Sequence, residues 1–457
     1  MRRPTRREVL ALTGAAALTG FLPPAKAQTL QQLQQRGILG AGGLPPARKL
    51  RIAMIVPART GFSTVRTSIN DYIGEGARMG AVLAEAILGD SIGDSGFQLE
   101  LLHANAPIAE AAERAGTRLV ETVPDVAAIV GGVGEGHAQV LGRIAERAGV
   151  PFFNIGDSTD ALRGAGCGRY TFHVEASAAM FLDALVSLGA SQGQRRWFVL
   201  HEDSDKGRAL HARALKAVAK HSSGGQVVGA AAAERGQPVY YNEFNAIGRS
   251  SADVVLLLVE AVDQIAFLAQ QENSQVNAPA LAFPHDISQT RDYVASIREL
   301  APLYNPRHRI AAWETTLTAN GAAKFNEPYM ARWSEPADPT AWASFHTIGI
   351  IAQAVAGAQS TAGPDLARYL ERQDVTFDVG KGPGMNFRPW DHQLRQPLYS
   401  VNINQESEWV RIDFTTWVGL GKADKEIPSA TPAGQAAQIL DQFGDGPNDN
   451  PCRMPPV

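Results

Sequence analysis

Two rhythms of apolar residues alternate along this chain. Short apolar runs at 50–56, 126–130, 150–155, 197–201, 254–259 and 278–283 read as buried strands. Between them lie longer stretches with apolar positions every three or four residues, such as Met79, Val82, Leu83, Ala86 and Ile87, which read as helices. The clearest unit spans 126–158. A strand at 126–130 is followed by a Gly-rich turn at 131–136, a helix, and a second strand at 150–155. That strand breaks into the polar turn Gly156-Asp157-Ser158-Thr159. Two buried runs split by a helical period predict a β-α-β unit and a parallel sheet. Both strands end in small and polar residues at the edge where open α/β sheets bind ligands.

Upstream, a strand at 50–56, a polar loop at 57–70, a helix at 77–88, a strand at 97–103 and a helix at 109–121 complete an open parallel sheet with helices on both faces. A loop at 163–168 and a short extended piece at 170–174 lead into a second series. Its helices are expected at 176–188, 208–220, 263–271 and 289–300, and its strands at 197–201, 226–230, 254–259, 278–283 and 309–313. Two α/β series joined by a short crossover imply two lobes with a cleft between them. Helices at 322–334, 340–358 and 364–371 form a block without strands, expected to pack back on the first lobe. Alternation at 396–402 and 408–414 around a turn at 404–407 predicts a β-hairpin.

Composition adds an address. The 457 residues are 45% hydrophobic and 19% charged with a net charge of −4, an ordinary globular balance. Without a basic excess, nucleic acid is not an expected partner, and a membrane-surface role is not favoured. The N-terminus is basic from Arg2 to Arg7, apolar over 9–22, and carries Ala25-Lys26-Ala27 before Gln28, the form of a secretory signal peptide at 1–27. Thr5-Arg6-Arg7-Glu8-Val9-Leu10 resembles the twin-arginine export signal; the other reading is a general secretory signal with fortuitous arginines. Both readings place the protein in the bacterial periplasm. A Gln-, Gly- and Pro-rich leader fills 28–48. In an oxidising compartment the two cysteines, Cys167 and Cys452, suggest one disulfide tying the tail at 419–457 to the body, with two free thiols as the other reading.

Several phrases then carry a resemblance. They are KLRIA at 49–53, the Gly turn after Ala128-Ile129-Val130, GVPFF at 149–153, HEDSDKG at 201–207 and ADVV at 252–255. In order and spacing these resemble the type I periplasmic solute-binding proteins of ABC transporters, the branched-chain amino acid binding group, from about Leu50 to Phe414. The segment FRPWDHQLRQP at 387–397 resembles a subgroup associated with pyrroloquinoline-quinone-dependent alcohol dehydrogenase systems. The resemblance implies an α/β fold of type I, two lobes each with an open parallel sheet flanked by helices, and a hinge of three crossovers. Lobe 1 would comprise 49–170 and 316–375, and lobe 2 would comprise 171–315 and 376–418, with the third crossing near 374–380. It also implies a monomeric, non-enzymatic receptor that needs no cofactor and hands a small polar ligand to an inner-membrane ABC permease. A sensor that reports to a membrane signalling partner, and a metal- or chelate-binding receptor, are the alternatives.

Carried over residue by residue, the resemblance places Gly134, Glu135, Gly156, Asp157 and Ser158 on the lobe-1 side of the cleft. Lys206, Ala261, His285 and Asp286 fall on the lobe-2 side, and Trp390 could clamp a ligand with Arg388, Asp391 and Arg395. Glu135 and Asp157 stand where amino acid receptors carry small or hydroxyl groups, and they would repel an α-carboxylate. Acids there favour a cation, an amine or a polyol. Each also has a structural reading: Glu135 as a solvated helix N-terminus, Asp157 as a turn cap, Trp390 as packing under the hairpin. No metal spacing of histidines and no nucleophile–base motif occurs in the sequence, Gly132 to Gly136 lacks dinucleotide-loop spacing, and the stretch from Asp203 lacks the terminal ligand of a calcium loop.

Overall fold

The computed structural model describes residues 47–58, 69–301, 305, 309–402, 410–412, 415–417, 422–428 and 433–454. The signal peptide, nearly all of the leader, most of the loop at 57–70 and the turn at 404–407 lie outside the described residues. From Lys49 onward the chain packs as one unit.

Two sheets organise it. The first has the order β2-β1-β3-β4-β5, formed by β1 (Arg48–Val56), β2 (Phe97–Asn105), β3 (Val126–Gly131), β4 (Phe152–Asn154) and β5 (Thr171–His173). β3 is buried along its whole length because β1 and β4 flank it in parallel, with Ile129 opposite Phe152 and Met54 opposite Val130. An all-apolar, β-branched-rich strand is what such a position selects. Helices α1 (Ile69–Asp94), α2 (Ala109–Thr122) and α3 (His137–Ala148) connect these strands.

The second sheet runs β14-β11-β10-β9-β8-β6-β7. Its parallel part comprises β6 (Arg196–Glu202), β7 (Gln226–Ala233), β8 (Val254–Leu258), β9 (Ala280–Ala282) and β10 (Arg309–Ala311). Helices α4 (Ala178–Ser191), α5 (Asp205–His221), α6 (Tyr241–Ser250), α7 (Ala261–Gln271) and α8 (Arg291–Leu300) flank it. α4 is apolar nearly all round, being covered by the sheet and by α5, and Ser177 caps it by accepting from Met180 N at 3.0 Å.

Strand β11 (Leu398–Asn402) closes the sheet antiparallel to β10, and β14 (Lys422–Ile427) adds antiparallel to β11. The hairpin expected from alternation is therefore not formed. β11 has a neighbour on each side, while β12 (Val410–Ile412) pairs with β13 (Thr415–Trp417) in a separate ribbon. The alternation at 396–402 was real, but its partners lie at 309–311 and 422–427.

Helices α9 (Ala323–Trp333), α10 (Pro339–Ala358) and α11 (Gly363–Leu370) share a core with the first sheet, joining Ile348, Ile351 and Leu366 to Met54, Val130 and Phe153. Gly80 lets α1 approach α10 closely, since a Cβ there would lie 2.1 Å from the Ala341 carbonyl oxygen. The chain thus passes between the two bodies after β5, after β10 and between α11 and β11. The last passage is stitched to the first: His173 donates to and accepts from the backbone at His392 and Leu394 at 2.9 and 2.8 Å. Cys167 and Cys452 are joined in a disulfide. Among the described residues no helix is long and apolar enough to cross a membrane.

Candidate functional site

The C-terminal ends of strands in the two sheets supply the polar groups of the site. On the first sheet, β3 runs into Gly132, Gly134 and Gly136, whose φ angles of 89°, 102° and 77° lie in the left-handed region. Close packing reinforces the choice at Gly132, where a Cβ would meet Asn154 Oδ1 at 2.5 Å. Asn154, fully buried at the end of β4, pins the neighbouring turn. Its Oδ1 accepts from Gly156 N and Asp157 N at 3.2 and 2.9 Å, and its Nδ2 donates to Asp157 O at 2.7 Å. Asp157 completes an Asx turn by accepting from Thr159 N at 2.8 Å, and its other oxygen accepts from Gln139 Nε2 at 3.3 Å. Asp157 therefore does shape its turn, yet it stays half-buried with its charge acting on groups of the opposite sheet. Glu135 is exposed, Gly156 is buried, and Ser158 accepts through its carbonyl from Ala178 N at 2.6 Å.

The second-sheet side is a chain of paired charges. Lys206 Nζ lies 2.8 Å from Glu260 Oε1. Arg235 grips Glu202 with two donors at 3.1 and 3.2 Å and reaches Glu260 at 3.8 Å. Burial alone would raise the Glu260 carboxyl, but His285, Lys206 and Arg235 outweigh it and hold it at about 2. Burial pulls the His285 imidazole down to about 4, against the opposing pull of Glu260. Lys206 is held above its ordinary value, because Glu260 outweighs desolvation, with Asp286 and Asp157 adding to it. Glu135 acts in the same sense on Arg235, after the larger effect of Glu202. These cross-sheet effects show that the two strand edges face one another.

Beneath them lies Glu175, at the first passage between the sheets and almost fully buried. Its carbonyl accepts from Arg163 Nη2 at 2.7 Å and Gln393 Nε2 at 3.0 Å, and its N–H donates to Asn154 O at 3.1 Å. Burial pushes its carboxyl up to about 7, with Arg163 and Lys381 opposing the shift. Asp286 is only half-buried at its surface, yet desolvation and the neighbouring Glu175 and Asp157 drive its carboxyl well above the ordinary range. Lys381 is buried with its ammonium 4.0 Å over the Trp342 ring, donating to Gln396 Oε1 and Pro397 O.

Of the residues read from sequence, Asp157, Lys206, His285 and Asp286 thus come together, with Glu135 opposite Arg235. Two do not join them. The Ala261 side chain is part of the second-sheet core. Trp390 stacks between Arg388 and Arg395 at 5.6 and 5.5 Å, and its indole donates to Asp445 O at 3.1 Å, on the C-terminal segment rather than in the cleft. Glu175, Glu202, Arg235 and Glu260 were missed. Glu202 and Glu260 each follow the end of a predicted strand, and extending the strand-edge rule to the second series would have found them; Arg235 sits beyond a strand that runs three residues longer than expected. Among the described residues no group of three or more His, Cys, Asp or Glu is arranged to hold a metal ion.

Comparison with known proteins places this geometry. A family model described as periplasmic binding protein matches residues 57–408. Among solved structures, a periplasmic binding protein from Burkholderia mallei is 17% identical with a TM-score of 0.68, covering 89% of this chain and 99% of that one. A branched-chain amino acid transporter substrate-binding protein from Streptococcus pneumoniae, in complex with isoleucine, is 16% identical with a TM-score of 0.61 and coverages of 82% and 100%. A solute-binding protein from R. palustris, in complex with 4-hydroxybenzoate, is 13% identical with a TM-score of 0.63 and coverages of 81% and 98%. No match was found among curated proteins.

Proposed function

Because the chain belongs to the periplasmic binding protein family, we propose that it is the substrate-binding component of an ABC transporter, capturing a small polar ligand between its two sheets. The observation that carries this reading is the facing of two strand edges whose charges act on one another, Asp157 on Lys206 and Asp286, and Glu135 on Arg235. Edges so placed on either side of a three-passage hinge are suited to closing over a ligand. In this reading lobe 1 comprises 49–170 and 316–375, lobe 2 comprises 171–315 and 376–418, and an inner-membrane permease receives the ligand from the monomeric receptor in the periplasm. No catalytic step is assigned to it. The FRPWDHQLRQP segment supports a setting in quinone-dependent alcohol oxidation, and in the structure that segment forms the inter-sheet stitching.

The test is a thermal-shift screen of the mature protein against alcohols, their acids, amino acids, the quinone cofactor and metal ions, with X-ray scattering on each hit. The expected result is at least one saturable stabiliser that also lowers the radius of gyration. Stabilisers that leave the radius unchanged would contradict a closing receptor.

A further inference from the structure

Four basic side chains surround the cleft, and two of them are paired with acids. Lys206 is bound to Glu260, and Arg235 to Glu202 and Glu260. Arg163 donates to the carbonyls of Asp157, Thr159 and Glu175 and to the Gln393 side chain. Lys381 donates to Gln396 and to the Pro397 carbonyl. Among the described residues Arg163 and Lys381 therefore have no salt bridge of their own, and both act on Glu175, Lys381 being drawn well below its ordinary value by burial; the acids without an ion pair still outnumber them. Asp157, Glu175 and Asp286 make no ion pair among the described residues, although the charges of Glu175 and Asp157 both act on Asp286.

Among the buried atoms without hydrogen-bond partners are one on Glu175 and one on His285. Glu175 is 3% exposed, and its Oε1 has no hydrogen bond, though its backbone is fixed on both sides by Arg163, Gln393 and Asn154. His285 is 7% exposed, and its Nε2 has none either. With the ring proton on Nδ1, which faces Glu260 Oε2 at 3.7 Å, Nε2 is an acceptor. A buried carboxylate oxygen and a buried imidazole lone pair, both beside Asp286, are acceptors waiting for a donor, and the excess of acids around them favours one that carries positive charge.

We infer that this cleft takes a small organic cation without a carboxylate of its own, an alkylammonium held by Glu175 and Asp286, with Asp157 above and His285 Nε2 as a further acceptor. The inference rests on the receptor reading above. An ammonium supplies N–H donors to acceptors that have none, and its charge relieves the mutual repulsion of the acids. A carboxylate ligand would add a further negative charge to the same site. Among the described residues no three His, Cys, Asp or Glu are arranged to hold a bare metal ion.

The experiment is calorimetric titration of the mature full chain at pH 8 with butylammonium and choline, against 1-butanol and butyrate, repeated on Glu175→Gln and Asp286→Asn. At least one cation is expected to bind about tenfold or more tightly than either comparison ligand, and each substitution to weaken it by about tenfold or more. Tighter binding of 1-butanol or butyrate, absence of binding by both cations, or undiminished affinity in both variants overturns the inference. The two readings separate by scattering. Closure of the lobes by 1-butanol or butyrate alone would leave the receptor standing and remove the cation. Cation binding without closure would do the reverse.

Discussion

Two buried charge clusters in this protein are built in opposite ways. At the C-terminal segment, Arg388 and Arg395 share Asp441 at 2.8–2.9 Å, Arg388 also donates to the Leu440 and Phe443 carbonyls, and Trp390 fills the space between the two guanidinium planes. The neighbouring charges are likewise matched: Arg213 pairs with Asp445, and Asp391 lies 3.9 Å from Arg388 while accepting from Asn450. In the cleft, Asp157, Glu175 and Asp286 make no salt bridge among the described residues, and the cations that act on them, Arg163, Lys381 and Lys206, are hydrogen-bonded elsewhere. Matched charge fixes the last segment to the inter-sheet stitching, and the disulfide from Cys452 to Cys167 fixes it to the first sheet's body. Acids in excess of the cations that reach them are costly in the unliganded protein, and a site that keeps them is poised for something that neutralises them.

The largest effect that would sharpen this contrast is at Asp441. Asp441→Asn leaves two nearly buried guanidinium groups without their carboxylate, and unfolding in urea should show a loss of about 3–5 kcal/mol. A loss no larger than that of an exposed pair, below about 1 kcal/mol, would break the comparison.

The smaller effect has the opposite sign. The Glu175 carboxyl is raised to about 7 in the folded protein, above its value in the unfolded chain. Between the two values the folded state holds more protons, so stability falls as pH rises through that window. Glu175→Gln removes the ionisation. It should be about 1–3 kcal/mol more stable than the parent at pH 8 and indistinguishable at pH 4, measured by urea unfolding at both. A variant less stable at pH 8 would mean that Glu175 is matched after all.

The fold was largely legible because its signals are local. Uninterrupted apolar runs such as 126–130 and 254–258 mark strands buried on both faces, and the helical periods between them mark the connections. Failures came where partners are distant or signals thin. α6 buries only Ile247, so its period did not stand out. The alternation of β11 carried no information about β10 or β14 as neighbours. The site divides along the same line. Asp157 was legible as an acid in a polar turn after a buried strand. Glu175 was not, because its meaning depends on Arg163, Gln393 and Asp286, which the topology alone brings to it. Trp390 suggested a ligand clamp from its neighbours in sequence, and its actual neighbour is Asp445.

The most direct measurement is the pH dependence of butylammonium binding to the mature protein by calorimetry from pH 5 to 9, in buffers of different ionisation enthalpy. Glu175 is faced by Arg163, Lys381 and Asp286, and Asp286 by Glu175, Asp157, Lys206 and Glu260. A cation favours the ionised acids, so binding should release protons below about pH 7, and affinity should rise as pH climbs through that value. Affinity that is flat across the range, or that falls as the acids ionise, would contradict the account.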